Sequence, residues 1–160
     1  MSTPDKPCLL VVDDEPEVCD SVYHLLYRNY RVLRAHSAAE AIELLSQHAV
    51  EIIMTDQRMP EITGVEMLQK IKSRYPEAIR ILFTGYADLN SVVAAINQGH
   101  VYRYLSKPWQ PEELEAVVAD AAAEYTRIVQ QAQELTECRE RIAQLERENQ
   151  RLRELSKDRL

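Results

Sequence analysis

Short apolar runs along the chain alternate with amphipathic segments. The apolar runs predict five buried strands, and these fall at Cys8–Val12, Tyr30–Ala35, Ile52–Met54, Ile79–Phe83 and Val101–Leu105. The amphipathic segments predict four helices, near Pro16–Arg28, Ala38–Gln47, Val65–Arg74 and Leu89–Gln98. Because strands that alternate with helices form parallel sheets with helices on both faces, the pattern predicts an α/β fold.

Local residues support the predicted helix ends. Ser37 stands just before the second helix with Glu40 three residues later, which is the spacing of a capping box. Asp88 is placed to cap the fourth helix. Gly99 follows that helix at the position where a left-handed residue commonly ends one.

A flavodoxin-like (βα)5 fold is the architecture that such repeats indicate. Its doubly wound parallel sheet has strand order 2-1-3-4-5, and the order reverses between the first and third strands. Ligands bind at this point, beyond the carboxyl ends of the strands. Polar residues that directly follow the strands are therefore the candidates for function.

The C-terminal segment differs from the rest of the chain. Pro111 suits the first position of a fifth helix, and no further Pro or Gly occurs up to Leu160. A helix of that length would span roughly 70 Å, which is too long to cover a sheet alone. We expect a domain over residues 1–126 and, continuous with the fifth helix, a helical extension over residues 127–160.

Five polar side chains follow strands at the carboxyl edge: Asp13 and Asp14 after the first, Asp56 after the third, Thr84 after the fourth and Lys107 after the fifth. Each residue type alone is common in turns, so only the shared position indicates chemistry. Neighbouring carboxylates raise one another's pKa unless a cation neutralises them, and their oxygens suit Mg²⁺. A carboxylate beside a metal, a hydroxyl and an ammonium can attack phosphorus and hold an acyl phosphate.

The same residues carry a family resemblance. Four segments resemble the response-regulator receiver domains of two-component signalling, namely Val11–Glu15, Thr55–Pro60 with Gly64, Phe83–Gly85 and Ser106–Pro108. The resemblance extends from about Pro7 to Tyr125. The stretch from Thr84 to Trp109 is most similar to receivers that precede transcription activators of the hydrogenase-regulator type or cyclic-di-GMP enzymes.

The resemblance implies roles for the residues at the centre of the site. Asp56 is then the phospho-acceptor for a sensor histidine kinase. Asp13, Asp14 and Asp56 hold Mg²⁺ or Mn²⁺ together with the backbone carbonyl of Arg58. A receiver catalyses its own phosphotransfer and dephosphorylation, so we expect no separate enzymatic domain.

The resemblance also implies roles around the phosphoryl group. Thr84 and Lys107 would contact its oxygens, and Tyr104 occupies the aromatic switch position on the fifth strand. Arg58 and Tyr86 flank the mouth of the site, where a guanidinium can lie over a phenol ring. We expect such a pair to restrict the entry of water and to slow dephosphorylation.

The C-terminal extension predicts a parallel coiled coil. With Leu114 at heptad position a, the best seam contains Leu135, Cys138, Ile142, Leu145, Asn149 and Leu152. Polar residues at two earlier d positions, Glu124 and Gln131, interrupt the seam before it. The g and e positions pair opposite charges, as in Glu134 with Arg139, and Asn149 at position a favours a parallel dimer.

These features lead to a main interpretation and two alternatives. The main one is a homodimer whose coiled coil relays phosphorylation of Asp56 to an output domain outside this chain. In the alternative, a stand-alone receiver adaptor uses its helical tail to bind a partner protein. A Mg²⁺-dependent phosphatase is disfavoured, because the first strand ends in Asp13-Asp14-Glu15 rather than Asp-x-Asp.

Composition excludes other classes of protein. The net charge is −7, and Arg127 is the single basic residue between Glu112 and Glu134, so we expect no direct nucleic-acid binding. No apolar run reaches the ~18 residues that a membrane span requires. Three widely spaced cysteines without a CxxC pair predict a reduced, cytoplasmic protein.

Overall fold

The computed structural model describes residues 5–159, apart from the side chain of Tyr86. The strands are β1 Cys8–Val12, β2 Arg31–Ala35, β3 Ile52–Asp56, β4 Ile79–Thr84 and β5 Arg103–Ser106. The α-helices are α1 Pro16–Leu26, α2 Ala38–Gln47, α3 Gly64–Arg74, α4 Leu89–Asn97 and α5 Pro111–Lys157, and a 3₁₀ turn, Tyr86–Asp88, leads into α4. The alternation predicted from the sequence is confirmed.

The five strands form one parallel sheet in the order β2-β1-β3-β4-β5. This is the doubly wound flavodoxin-like order that the sequence predicts. Val12, the last residue of β1, pairs with Ala35 on one side and with Thr55 on the other. The carboxyl ends of β1 and β3 therefore meet where the strand order reverses.

Helices cover both faces of the sheet. On one face, Leu10, Ile53 and Leu82 belong to a buried cluster to which α2, α3 and α4 contribute. Their strand neighbours Leu9 and Ile52 are also fully buried, and alternation directs them to the opposite face. The buried side chains of α1 and α5 are available to cover that face, namely Cys19, Val22, Leu26, Leu114, Val118 and Ala121.

Two strand boundaries differ from the prediction by two residues, and three others differ by one. β3 continues through Asp56, because Asp56 still pairs with Phe83 of β4. β5 begins at Arg103 rather than at Val101, although Val101 is buried in the core. Val101 is apolar and buried like a strand residue, so the hydrophobic pattern included it in the predicted fifth strand.

The prediction for Gly99 is confirmed and the one for Asp88 is wrong. The capping box at Ser37 is confirmed in part, because the Glu40 carboxylate accepts the N–H of His36 at 2.8 Å and not that of Ser37. The Ser37 hydroxyl accepts the N–H of Glu40 at 3.1 Å, and Gly99 has a φ of 73°. Asp88 does occupy the N-cap position of α4, but within the described part of the chain its side chain makes no hydrogen bond to that helix. Its carboxylate accepts hydrogen bonds from Arg58 instead.

The chain divides into two compact units at Tyr125. In the first unit, α5 buries Leu114, Val118 and Ala121. In the second unit, large apolar side chains are exposed at Leu135, Ile142, Leu145, Leu152 and Leu155. None of the helices over residues 5–159 has the length and apolar character needed to cross a membrane.

Candidate functional site

Three carboxylates meet at the carboxyl edge of the sheet. Asp56 is the last residue of β3, and Asp13 and Asp14 come directly after β1. Asp13 is fully buried and Asp56 is 7% exposed, whereas Asp14 faces solvent. Oxygens from the three carboxylates all lie within 4.8 Å of one another. The parallel pairing of β1 with β3 therefore assembles this acidic cluster.

Lys107 supplies a positive charge to the acidic cluster. It comes directly after β5, and its Nζ lies 3.0 Å from Asp13 Oδ2 and 3.2 Å from Asp56 Oδ1. Burial by itself lowers the pKa of Lys107, but the hydrogen bonds and negative charges of the two carboxylates outweigh this effect and raise the pKa. The side chain is therefore an ammonium ion at neutral pH.

The pKa of Asp56 is raised above its ordinary value of 3.8. Burial is the main cause, and the negative charge of Asp13 adds to it. The ammonium of Lys107 acts in the opposite direction without cancelling the effect. Because the ionised form of Asp56 is unfavourable here, a further cation at the cluster would be stabilising.

A divalent cation fits the donors that the cluster presents. Asp13 Oδ1 accepts the N–H of Glu15 at 2.9 Å, while its Oδ2 faces Lys107. Three carboxylates against one ammonium leave excess negative charge. Carboxylate oxygens are ligands that Mg²⁺ and Mn²⁺ prefer, and Asp14 keeps one side of the cluster open to solvent.

Thr84 lies at the end of β4, beside the acidic cluster. It is buried, and its hydroxyl donates to the carbonyl oxygen of Gly85 at 3.2 Å. The carbonyl oxygen of Thr84 accepts the N–H of Lys107 at 2.9 Å. The backbone thus joins the ends of β4 and β5, and it places a hydroxyl and an ammonium at the same edge.

Tyr104 lies on β5, three residues before Lys107, where it pairs in register with Leu82 of β4. The residue is 41% exposed on an edge strand. An inward position of this ring would therefore require a rotation of the side chain.

Arg58 contacts a carboxylate at the mouth of the site. Its Nε donates to Asp88 Oδ2 at 2.9 Å. Both residues line a groove of about 430 Å³ that also reaches Asp14. The side chain of Tyr86 lies outside the described residues, so the stacking of Arg58 on Tyr86 stays a prediction.

Several contacts at the site were not predicted from the sequence. Lys107 Nζ lies 5.1 Å from the centre of the Phe83 ring, and Trp109 packs edge-on against the same ring at 5.4 Å. The Gln57 side chain accepts the N–H of Val65 at the start of α3. For Trp109 the sequence contained one signal of a place at the site, namely that this residue directly follows the Ser-Lys-Pro motif.

Comparison with known proteins places these residues in a family. A family model of the response regulator receiver domain matches residues 9–119. The hydrogenase transcriptional regulatory protein HoxA of Cupriavidus necator is 42% identical over 113 residues, which cover 71% of this chain and 23% of HoxA. The chain spans about a quarter of the length of such curated relatives.

Solved structures are similar over most of the chain. A structure described as adenylate cyclase from Rhodopirellula baltica superposes with a TM-score of 0.80 at 27% identity, covering 82% of this chain and 98% of that one. A response regulator receiver domain protein from Clostridium thermocellum gives a TM-score of 0.72 at 27% identity, covering 76% of this chain and 98% of that one.

Proposed function

The chain belongs to the response-regulator receiver domain family, and from this membership we propose that Asp56 is its phospho-acceptor in two-component signalling. Receiver domains are phosphorylated by sensor histidine kinases. The observation that carries the proposal is the convergence of Asp56, Asp13 and Lys107 at one edge of the sheet, with carboxylate-to-ammonium distances of 3.0 and 3.2 Å.

The metal is the first part of the proposed chemistry. Receiver domains generally bind Mg²⁺ at a cluster of acidic residues. Here Asp13, Asp14 and Asp56 would hold Mg²⁺ or Mn²⁺, together with the backbone carbonyl of Arg58. The bound metal would neutralise the carboxylates and polarise the phosphoryl oxygens.

Phosphoryl transfer then follows from the positions of the protein groups. An Asp56 carboxylate oxygen attacks the phosphorus of a phosphohistidine, forming an O–P bond while the P–N bond breaks. The electron pair of the broken bond returns to the imidazole, which takes up a proton. Lys107 stays close to the new acyl phosphate and balances its charge.

The switch residues respond to this new group. The phosphoryl group carries about −1.5 to −2 charge, in place of the single negative charge of the Asp56 carboxylate. The Thr84 hydroxyl exchanges the carbonyl of Gly85 for a phosphoryl oxygen, and Tyr104 turns into the space that opens. Both steps shift the population between two arrangements of α4 and β5.

Residues at the mouth of the site set the lifetime of the phosphoryl group. Arg58 and Tyr86 restrict the entry of water, so dephosphorylation is slow. The support for this part is the position of Arg58 in the groove that also reaches Asp14.

The second unit of the chain forms a parallel homodimer through α5. The proposed seam contains Leu135, Cys138, Ile142, Leu145, Asn149 and Leu152. Exposure of its large apolar residues in a single chain supports this proposal, because such side chains gain stability from a partner. The domain itself buries Leu114 and Ala121, which also stand at position a, so the seam begins after them.

The dimer would relay the state of Asp56 to an output domain. The larger regulators related to this chain carry such domains. The same exposed stripe could instead bind a partner helix, which is the adaptor alternative. We propose a cytoplasmic setting, because all three cysteines are free thiols.

Labelling with a small phosphodonor tests the proposal. With Mg²⁺ and radiolabelled acetyl phosphate, the wild-type chain should take up one phosphoryl group, and Asp56→Asn should take up none. Asp20→Asn is the matched control, because Asp20 is an exposed carboxylate that pairs with Arg34. Equal labelling of Asp56→Asn and wild type would reject Asp56 as the acceptor.

A further inference from the structure

Two loops at the mouth of the site are joined by one ion pair. Arg58 lies two residues after Asp56, and Asp88 ends the 3₁₀ turn that leads into α4. The Arg58 Nε donates to Asp88 Oδ2 at 2.9 Å, and its second contact, from Nη2 to Oδ1, is 3.5 Å. The side chain of Arg58 is 72% exposed and that of Asp88 is 21% exposed.

This ion pair takes Asp88 away from a helix that it could cap. Ser37 and Thr63, at the starts of α2 and α3, accept the third helical N–H with their hydroxyls. Asp88 stands at the same position of α4, and aspartate is among the best capping residues. In the described part of the chain, however, its carboxylate makes no such bond. Its backbone, with φ −107° and ψ 13°, is also outside the extended region in which the other two caps lie.

The phosphoryl group that we assign to Asp56 would compete for the same guanidinium. Phosphate oxygens bind arginine strongly and in bidentate geometry. An exposed ion pair such as Arg58–Asp88 is weak, so a phosphoryl dianion on Asp56, two residues from Arg58, can displace it. Asp88 would then be free to move into the extended backbone conformation of a capping residue and to bond the first turn of α4.

We propose that Asp88 is a two-state residue, which holds Arg58 across the mouth of the site before phosphorylation and caps α4 afterwards. Arg58 changes partner from Asp88 to the phosphoryl group. The exchange transmits the state of Asp56 to α4 by a route separate from Thr84 and Tyr104. This inference rests on the proposed function of Asp56.

Amide hydrogen exchange at Ser91, the third residue of α4, measures directly whether Asp88 caps the helix. On addition of Mg²⁺ and beryllofluoride, a mimic of the acyl phosphate, protection of the Ser91 amide in the wild-type chain should rise about fivefold, as expected for a gained cap. Arg58→Ala should show the raised protection without the mimic, because Asp88 is already free. Asp88→Ala should show it in neither condition.

Asp88→Asn is the matched variant, because asparagine caps as well as aspartate but lacks the charge that holds Arg58. It should behave as Arg58→Ala does. If the pair merely fastened two loops together, Arg58→Ala, Asp88→Asn and Asp88→Ala would all lower protection at Ser91. That result would overturn the proposed change of partner.

The ¹⁹F resonance of bound beryllofluoride distinguishes a failure of the proposed function from a failure of the proposed change of partner. Absence of the bound resonance in wild type, with Asp56 intact, would count against the proposed function. A bound resonance together with unchanged protection at Ser91 would agree with the proposed function and would reject the proposed change of partner.

Discussion

Asp56 carries a negative charge in a place where burial and Asp13 disfavour it. Lys107 lies between the two carboxylates and offsets part of this cost. The site is thus electrostatically unfavourable unless a further cation binds. Charged groups in such unfavourable surroundings are common at functional sites. The cost can be measured because it depends on pH and on metal.

Replacing Asp56 with Asn should stabilise the metal-free protein at neutral pH. Because the folded pKa of Asp56 is raised, the protonated form is the stable one, and its contribution is lost as the pH rises through the folded pKa. We expect the melting temperature of Asp56→Asn to exceed that of wild type by on the order of a few degrees at pH 7. The difference should shrink as the pH falls and disappear below about pH 3, where Asp56 is neutral in both the folded and the unfolded state.

Addition of Mg²⁺ provides the control for this prediction. The metal should raise the melting temperature of wild type and leave that of Asp56→Asn nearly unchanged. A metal-free wild type that is more stable than Asp56→Asn at pH 7 would contradict the proposed cost of the buried charge.

The residues that follow strands could be predicted because the sheet itself brings them together. The order of the strands and the position just past each strand place Asp13, Asp56 and Lys107 at one edge. The contact of Arg58 with Asp88 could not be predicted in this way. It joins two irregular loops 30 residues apart, and no periodic pattern specifies which of several nearby groups a long guanidinium will reach.

Among the elements, α3 begins unusually close to the site. Gly64 is its first residue, and its N–H donates to the carbonyl oxygen of Gln57 at 3.0 Å. A Cβ at this position would collide with the backbone carbonyl oxygen of Asp56 and lie 2.9 Å from Leu82 Cδ1. The absence of a side chain therefore allows α3 to start directly against the end of β3.

Gly64→Ala should destabilise the fold by about 1–3 kcal/mol, because backbone atoms must move to admit the methyl group. Gly85→Ala is the matched control, since a Cβ there would have no atom within 4 Å in the described structure. Its effect should stay within about 0.5 kcal/mol. Urea denaturation of the three proteins measures both values, and equal stability of Gly64→Ala and wild type would show that the start of α3 can shift freely.

The long helix α5 uses one heptad position in two ways. The first unit buries Leu114 and Ala121 at position a, whereas Leu135 and Ile142 at the same position are exposed in the second unit. The sequence predicted the helix and its apolar stripe. It also predicted that the domain ends near residue 126, but periodicity does not report what covers the apolar face beyond that point.

Cys138 tests the heptad register of α5. At position d of a parallel pair, the two thiols would face each other, and mild oxidation should link two chains by a disulfide. Cys138 is exposed, while Cys8 and Cys19 are buried, so the buried thiols should not compete. Cys138→Ser should abolish the linked species on a non-reducing gel. Failure of the wild type to link, when it is dimeric in solution, would show that the register is wrong.

At the scale of the whole molecule, this chain combines a receiver with a helix whose apolar residues are exposed. The regulators that it resembles are about three times as long as this chain, and the match covers 23% and 24% of two of them. In our account, the second unit is the part through which the state of Asp56 is passed on. This requires two chains to be held together.

We predict a mass in solution of twice that of the chain, measured by sedimentation equilibrium. Leu145→Lys with Ile142→Lys should give monomers, because two charges per chain would be buried in the seam. Glu140→Lys is the matched control, since Glu140 stands at position f, on the outer side. A monomeric wild type would favour the adaptor alternative, in which the stripe binds another protein.

Peptide mapping locates the residue that receives the phosphoryl group. After incubation with Mg²⁺ and acetyl phosphate, the acyl phosphate is reduced with borohydride, which marks the modified carboxyl group permanently. We predict the mark on Asp56 alone, and none when Mg²⁺ is omitted. A mark on Asp13, on Asp14 or on any other residue in place of Asp56 would contradict it.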